Sequence, residues 1–141
     1  MKSVLQYCFL FLLFVACNSS DKTAPPASEN DVDAARNFIR AALDGHYDEA
    51  RNLVLPDSAN NAWIDLYKRI YQSRMSLGDK AGYRAASINI HDIQTVNDSI
   101  TIVRYSNSFK QQADSLKVVK RDDAWLVDLR YSFPSQTDSL P

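Results

Sequence analysis

The sequence has few cysteines, histidines and glycines, and each shortage excludes a kind of site. Both cysteines, Cys8 and Cys17, lie near the start of the chain, so the rest of it can form no disulfide framework and contains no cysteine nucleophile. Two scattered histidines cannot supply the converging ligands of a metal centre. With three glycines there is no phosphate-binding loop, and no Gly-x-Ser-x-Gly motif is present. The sequence therefore predicts no metal, no cofactor and no catalytic residue that a motif identifies.

An excess of charge of either sign is lacking as well. The 141 residues include 16 basic and 17 acidic side chains, and the two signs are interspersed along the chain. Proteins that bind the phosphate backbone of a nucleic acid present a basic patch or stripe, so we expect no nucleic-acid partner. With 45% hydrophobic residues, a chain of this length is sufficient for one core and one domain.

Residues 1–16 are predicted to be a lipoprotein signal peptide. Lys2 supplies a positive start, and the apolar run over residues 4–16 is too short to span a bilayer as a stable helix. The run ends in Phe14-Val15-Ala16-Cys17, which resembles the lipobox of bacterial lipoproteins. This resemblance implies that Cys17 is the site of lipid attachment and the first residue of the mature chain. Two alternatives stay open: Cys17 stands by chance beside an ordinary cleavage site, or the segment remains uncleaved as an anchor.

Composition divides the rest of the chain into three regions. Residues 17–29 are small, polar and proline-bearing, and are predicted to be the lipidated cysteine and a flexible tether. Residues 30–133 are predicted to form the domain, and residues 134–141 a disordered tail. Asn18 follows the cysteine where an Asp would resemble an inner-membrane retention signal. We therefore expect a protein of the cell envelope whose membrane partner is the outer membrane, reached through the lipid anchor.

Three helices are predicted before the first strand. Ser28 and Asp31 resemble a capping box and precede an apolar stripe at helical spacing, which predicts the first helix. This helix is expected to end at Gly45, because glycine accepts the left-handed conformation of a helix cap. A short second helix is predicted over residues 47–53.

The third helix, predicted from about residue 58 to about residue 78, has an unusually wide apolar arc. Such a helix must be covered on more than one side. Packing between the sheet and the other helices would explain the arc. A second interpretation is that Tyr67 and Tyr71 face a cavity between helix and sheet, where a phenol offers apolar bulk and one polar group.

Two strands are predicted over residues 84–96 and 99–109, joined by a turn at Asn97-Asp98. This turn would place Thr95 opposite Ile100 and Ile93 opposite Ile102. Ile88 and Ile90 have the opposite parity to Ile93, so an extra residue is needed near His91-Asp92 for all three to face the core. That pattern predicts a β-bulge, which either only bends the sheet or lies beside a binding site.

Residues 115–133 predict a β-hairpin around the turn Asp122-Asp123. Its register places Lys120 opposite Trp125 and Lys117 opposite Asp128. Since paired residues share a face of the sheet, Trp125 is expected on the core face and the Lys117–Asp128 pair on the wetter face. The elements together predict an α+β fold with three N-terminal helices packed on a curved four-stranded antiparallel sheet.

Two stretches of the sequence resemble a known superfamily: residues 38–50, Phe-Ile-Arg-Ala-Ala-Leu-Asp-Gly-His-Tyr-Asp-Glu-Ala, and residues 118–128, Val-Val-Lys-Arg-Asp-Asp-Ala-Trp-Leu-Val-Asp. With the element order, they resemble the nuclear transport factor 2-like superfamily, and within it the bacterial lipoproteins of domain of unknown function 4878. The resemblance implies a cystatin-like α+β cone with a pocket at its mouth, and a tendency to form homodimers through the sheet. The superfamily includes isomerases and dehydratases, but none of their catalytic residues can be matched to positions here.

Two hypotheses for function follow. The first is a non-catalytic domain that binds a small ligand or an envelope protein. The alternative is a small pocket enzyme of the isomerase or dehydratase type, in which Asp92 would act with Tyr105 or Tyr71 in proton transfer. An unpaired buried carboxylate in a roomy cavity would favour the enzyme. The candidate pocket residues are Tyr67, Tyr71, His91, Asp92, Tyr105 and Trp125.

Overall fold

A computed structural model describes residues 27–132, which have an α+β fold with a four-stranded antiparallel sheet in the order β1-β2-β3-β4. The predicted signal peptide, Cys17, most of the tether and the tail lie outside the described residues. The helical elements are α1 (Asp31–Asp44), α2 (Tyr47–Ala50), a 3-10 turn (Arg51–Leu53), α3 (Ser58–Ser73), α4 (Leu77–Ala85) and α5 (Leu129–Ser132). The strands are β1 (Ile88–Asn97), β2 (Ile100–Asn107), β3 (Asp114–Arg121) and β4 (Ala124–Asp128). Within the described residues, no helix has the length and apolar character needed to cross a bilayer.

Helix α1 forms the centre of the core. It contacts all four strands, and its buried face consists of Ala34, Ala35, Phe38, Ile39, Ala41 and Leu43. The predicted end at Gly45 is confirmed by its positive φ of 79°, and a Cβ at this position would also overlap the ring of Tyr71. The predicted start needs correction, because the N-cap is Asn30, whose side chain accepts a hydrogen bond from the Asp33 amide at 2.9 Å.

Helix α4 is the main element that the sequence reading missed. The third predicted helix ends earlier than expected, at Ser73, and the first strand begins at Ile88 rather than at residue 84. Helix α4 is only nine residues long, has no fully buried residue and contains two glycines, which weaken a helix prediction from the sequence. The signal that was present is a cap: the Ser76 hydroxyl accepts from the Asp79 amide and donates to its carboxylate.

The pairing of β1 with β2 is partly as predicted. The register shifts between Ile90 and Asp92, which confirms the bulge at His91. The predicted register beyond it is wrong, because Thr95 lies opposite Thr101 and Ile93 opposite Val103. The register shifts a second time between Thr95 and Asn97. The Asn97 side chain accepts from the Ser99 amide, and the turn lies at residues 98–99, one residue further along the chain than predicted.

The hairpin of β3 and β4 has the predicted register. Lys120 lies opposite Trp125 and Lys117 opposite Asp128, while the turn residues Asp122 and Asp123 both have positive φ, as in a type I′ turn. Trp125 packs against the core, as expected from this register. Beyond Asp128 the chain leaves the sheet and forms α5, which corrects the predicted continuation of the strand to residue 133.

A buried polar corner joins α3 to the end of β4. Asn60, which has no solvent exposure, accepts a hydrogen bond from the Leu129 amide at 2.8 Å and donates to the Asp57 carboxylate at 2.9 Å. Asp128 is only 4% exposed, so it does not lie on a wet face as expected, although Lys117 is 3.7 Å away. Burial alone would raise the pKa of Asp128, but the hydrogen bonds and charge of Arg130, with Asn60, outweigh burial and lower it.

Replacement of Asn60 by alanine tests this corner. The substitution leaves the Leu129 amide buried without its acceptor, so we expect Asn60→Ala to lower the free energy of unfolding by about 2 kcal/mol. Urea denaturation measures the change. The control Asn52→Ala, at an exposed position, should change it by less than about 0.5 kcal/mol. Equal effects of the two substitutions would contradict the role given to Asn60.

Candidate functional site

A cavity of about 540 Å³ lies between the helices and the sheet and is partly open to solvent. Its apolar wall consists of Phe38, Ala42, Ile64, Leu116 and Leu129. Four tyrosines from four different elements complete the wall: Tyr47, Tyr67, Tyr83 and Tyr105. We call this cavity, with its apolar wall and four phenols, the tyrosine pocket.

Polar groups of the tyrosine pocket lie mainly on the segment that joins β2 to β3. Asn107, Lys110, Gln112 and Asp114 line this side of the cavity. The Asn107 side chain shapes the loop, since its oxygen accepts from the amides of Phe109 and Lys110 at 3.1 and 2.9 Å. The pocket therefore combines an apolar interior with a polar rim.

The loop is held against α4 by an aromatic contact. The rings of Tyr83 and Phe109 meet edge to face, with centroids 5.0 Å apart. Phe109 also lies so close to Gly82 that a Cβ there would overlap its ring, so glycine allows this close approach. The contact brings the loop and α4 together at the pocket.

Burial is the largest cause that raises the pKa of three phenols of the pocket, those of Tyr47, Tyr67 and Tyr105. Burial raises the pKa of Tyr47 to about 12, and the neighbouring tyrosines add to the effect. The pKa of Tyr105 is raised by burial and then by the charge of Asp114, with which it also shares a hydrogen bond. Burial and the same carboxylate raise the pKa of Tyr67. At neutral pH these side chains are uncharged hydroxyl groups on apolar rings.

The structure brings only two of the six candidate pocket residues to this cavity. Tyr67 and Tyr105 line it. Tyr71 lies behind the wall, edge-on to Tyr47 with ring centroids 5.7 Å apart, and its hydroxyl accepts from Arg84 at 3.1 Å. Tyr71 thus supports the wall without lining it.

The other three candidates lie elsewhere. His91 and Asp92 are exposed on the edge strand β1, where the His91 Nε2 and Ser106 Oγ atoms are 2.8 Å apart. Asp92 pairs with Arg104, so it lies on the face of the sheet opposite to Tyr105. Trp125 lies next to the β3–β4 turn, with the Lys120 ammonium 5.9 Å from its ring centroid. The geometry therefore does not join Asp92 to a tyrosine for proton transfer.

Sequence reasoning missed Tyr47, Tyr83 and the polar rim. Tyr83 was missed because α4 was not predicted. The rim was missed because residues 108–113 have no periodicity that predicts where their side chains point. The signal that could have found Tyr47 is the Gly45 cap, which reverses the chain immediately before it.

The described residues show which chemical groups are available in the pocket. In the part of the chain that the structure describes, no group of three or more His, Cys, Asp or Glu side chains is placed to hold a metal ion. Over the same residues, every buried side-chain nitrogen and oxygen has a hydrogen-bond partner. The Asp114 carboxylate accepts from the Ser115 amide at 2.7 Å, and Asp114 lies opposite Tyr105 in the β2–β3 pair. Among the described residues, the pocket thus presents aromatic rings, hydroxyl groups, amides, the Asp114 carboxylate and the Lys110 ammonium to a ligand.

Alkaline pH tests the burial of Tyr47. Its pKa rises from about 10 in the unfolded chain to about 12 in the fold, so its contribution to stability is complete below pH 10 and is lost as the pH rises through 12. We expect Tyr47→Phe to make the decline of the unfolding free energy over this range shallower. The control Tyr131→Phe, at a position 49% exposed, should leave the decline unchanged. Indistinguishable pH profiles for the two variants would contradict the burial of Tyr47.

Comparisons of the chain with protein-family models, with curated proteins and with solved structures find no match. The resemblance to nuclear transport factor 2-like proteins thus stays a prediction from the sequence.

Proposed function

We propose that the domain is a non-catalytic binding module of a lipid-anchored cell-envelope protein, and that the tyrosine pocket holds a small amphipathic molecule. The observation that carries this proposal is the pocket itself, a cavity of about 540 Å³ with aromatic and aliphatic walls and a polar rim. Sites for small molecules commonly have volumes of about 300–1,000 Å³, mostly apolar walls and a few convergent polar groups.

The polar groups of the pocket support binding more than proton transfer. A general base in a dry site needs a carboxylate whose environment leaves it free to take a proton. Asp114 instead accepts a hydrogen bond from the Ser115 amide and lies opposite Tyr105 in the β2–β3 pair. The alternative of an isomerase or dehydratase therefore has no observation in its favour among residues 27–132.

The cellular part of the proposal rests on the sequence. The lipobox-like Phe14-Val15-Ala16-Cys17 supports acylation of Cys17, and Asn18 after it supports sorting to the outer membrane. The tether that follows would hold the domain at a distance from the bilayer. A pocket on such a domain would meet small molecules or envelope components near the membrane surface.

The finer fold assignment is part of the same proposal. We infer that the domain is a nuclear transport factor 2-like cone, with its helices on a curved sheet. The bulge in β1 supports curvature, because bulges bend strands. The face of the sheet away from α1 carries the partly exposed residues Ile100, Val119 and Leu126 in one cross-strand row, which supports a homodimer through the sheet.

A pocket-filling substitution tests ligand binding. Ala42 lines the pocket from α1, so tryptophan at this position would fill the cavity that a ligand needs. We expect the full-length protein to bind the neutral fluorescent probe N-phenyl-1-naphthylamine. Ala42→Trp should weaken this binding by about tenfold or more without lowering the melting temperature, because the new ring occupies existing space.

The matched control is Ala62→Trp, which adds the same ring at an exposed position of α3. It should bind the probe as the original chain does. Unchanged binding by Ala42→Trp, in a variant that remains folded, would contradict the tyrosine pocket as the binding site.

Metabolic labelling tests the anchor. In bacterial cells supplied with an alkyne analogue of palmitate, the original chain should be labelled and should partition with membranes. Cys17→Ser removes the thiol that would carry the lipid, so labelling should be lost. Cys8→Ser, within the same predicted signal peptide, is the control and should be labelled normally. Labelling of Cys17→Ser at the original level would contradict the lipoprotein proposal.

A further inference from the structure

We propose that the ligand of the tyrosine pocket is an organic cation, of the bulky alkylammonium class, held by aromatic rings and the Asp114 carboxylate. This inference rests on the proposed function, since it names the chemistry of the ligand for the same cavity. Three observations carry it: the number of rings around the cavity, the position of the carboxylate, and two ammonium groups of the chain itself that already lie over nearby rings.

The rings supply the first part of the attraction. Tyr47, Tyr67, Tyr83 and Tyr105 approach the cavity from four different elements. The π-face of an aromatic ring is negative, and a cation within about 6 Å of several rings gains from each of them when water is excluded. An aromatic enclosure of this kind favours a diffuse cation such as a quaternary ammonium over a strongly hydrated small ion.

The carboxylate supplies the second part. Asp114 is half-buried at the start of β3, and among the lining residues of the described chain it carries the only negative charge. Asp114 lies directly opposite Tyr105 in the β2–β3 pair, on the same face of the sheet, and both line the cavity together with Tyr67. One of its oxygens accepts from the Ser115 amide at 2.7 Å, and a carboxylate can accept several hydrogen bonds, so it can still attract a cation.

Among the lining residues that the structure describes, Lys110 carries the only positive charge, and this charge does not cancel that of Asp114. Lys110 is exposed whereas Asp114 is half-buried, and water and salt screen exposed charges more strongly. The interior of the pocket therefore experiences mainly the field of the carboxylate.

Ammonium groups of the chain show where a cation is attracted. The Lys110 ammonium lies 6.0 Å from the ring centroid of Tyr83 and 5.4 Å from that of Phe109. Behind the wall, the Lys80 ammonium lies 5.1 Å from the centroid of Tyr71. The Lys110 ammonium thus already lies over the rings of Tyr83 and Phe109. A cationic ligand would compete with it for the face of Tyr83.

Three phenols of matched shape test the inference by calorimetry on the full-length protein. They are the cation 3-(trimethylammonio)phenol, its neutral isostere 3-tert-butylphenol and the anion 3-hydroxybenzenesulfonate, compared at mildly acidic pH where all three phenol hydroxyls are protonated. We expect the cation to bind at least about tenfold more tightly than the neutral phenol, and the anion to bind most weakly.

Charge variants then test whether the preference for the cation arises in the tyrosine pocket. Asp114→Asn should weaken binding of the cation about tenfold more than binding of the neutral phenol, because it removes the charge while the amide oxygen can still accept from Ser115. Asp98→Asn makes the same change of charge in an exposed turn and should have no effect. Lys110→Met should strengthen binding of the cation several-fold, because it removes the competitor and the repulsion.

Each other outcome has a distinct meaning. Tighter or equal binding of the neutral phenol, or tightest binding of the anion, overturns the cation inference and leaves the tyrosine pocket in place. If none of the phenols binds and Ala42→Trp does not alter probe binding, the proposed function fails, and the inference fails with it. If Asp114→Asn does not fold, the order of affinity of the three phenols for the original chain and for Lys110→Met still decides whether the pocket prefers a cation.

Discussion

The packing of α1 against the sheet is the constraint on which the rest of the structure depends. This helix contacts every strand, and three of its buried residues, Ala34, Ala35 and Ala41, are small enough to allow close approach to the sheet. Phe38 and Ile39 supply the apolar bulk between the helix and the sheet. Because the helix ends at Gly45, the chain reverses there and returns Tyr47 to the core. The position of one helix end thus sets the position of one wall of the pocket.

The pocket exists because the elements around α1 do not fill the space that they enclose. Ala42 presents a small side chain where a larger one would occupy the cavity. Arg40, on the same helix, holds α4 in place. Its guanidinium donates to the carbonyl oxygens of Tyr83 and Ala86 at 3.2 and 2.8 Å and pairs with Asp44, which ties the end of α4 to α1. The rings are therefore held by packing and hydrogen bonds that a ligand would not need to supply. Preorganisation of this kind lowers the entropy that binding costs.

The sequence was most informative where local chemistry and hydrophobic pattern agreed. The hairpin of β3 and β4 could be predicted residue by residue, because Asp122 and Asp123 tolerate positive φ and Trp125 fixes the parity. The register of β1 with β2 could not be predicted. The Asn97 side chain moves the turn by accepting from the Ser99 amide, and hydrophobic periodicity carries no information about that hydrogen bond. Tyr83 was missed because it lies on a short helix whose start is marked by a cap, whereas Tyr67 lies on a helix whose apolar arc was predicted from the sequence.

The most direct test of the central claim is nuclear magnetic resonance of the full chain with isotope-labelled tyrosine rings. Nuclear Overhauser contacts are measured between these rings and 3-(trimethylammonio)phenol. The account requires contacts from the trimethylammonium protons to Tyr67, Tyr83 and Tyr105 together, since these rings line one cavity, and none to the exposed Tyr131. Contacts confined to Tyr131, with none to Tyr67 or Tyr105, would contradict the account.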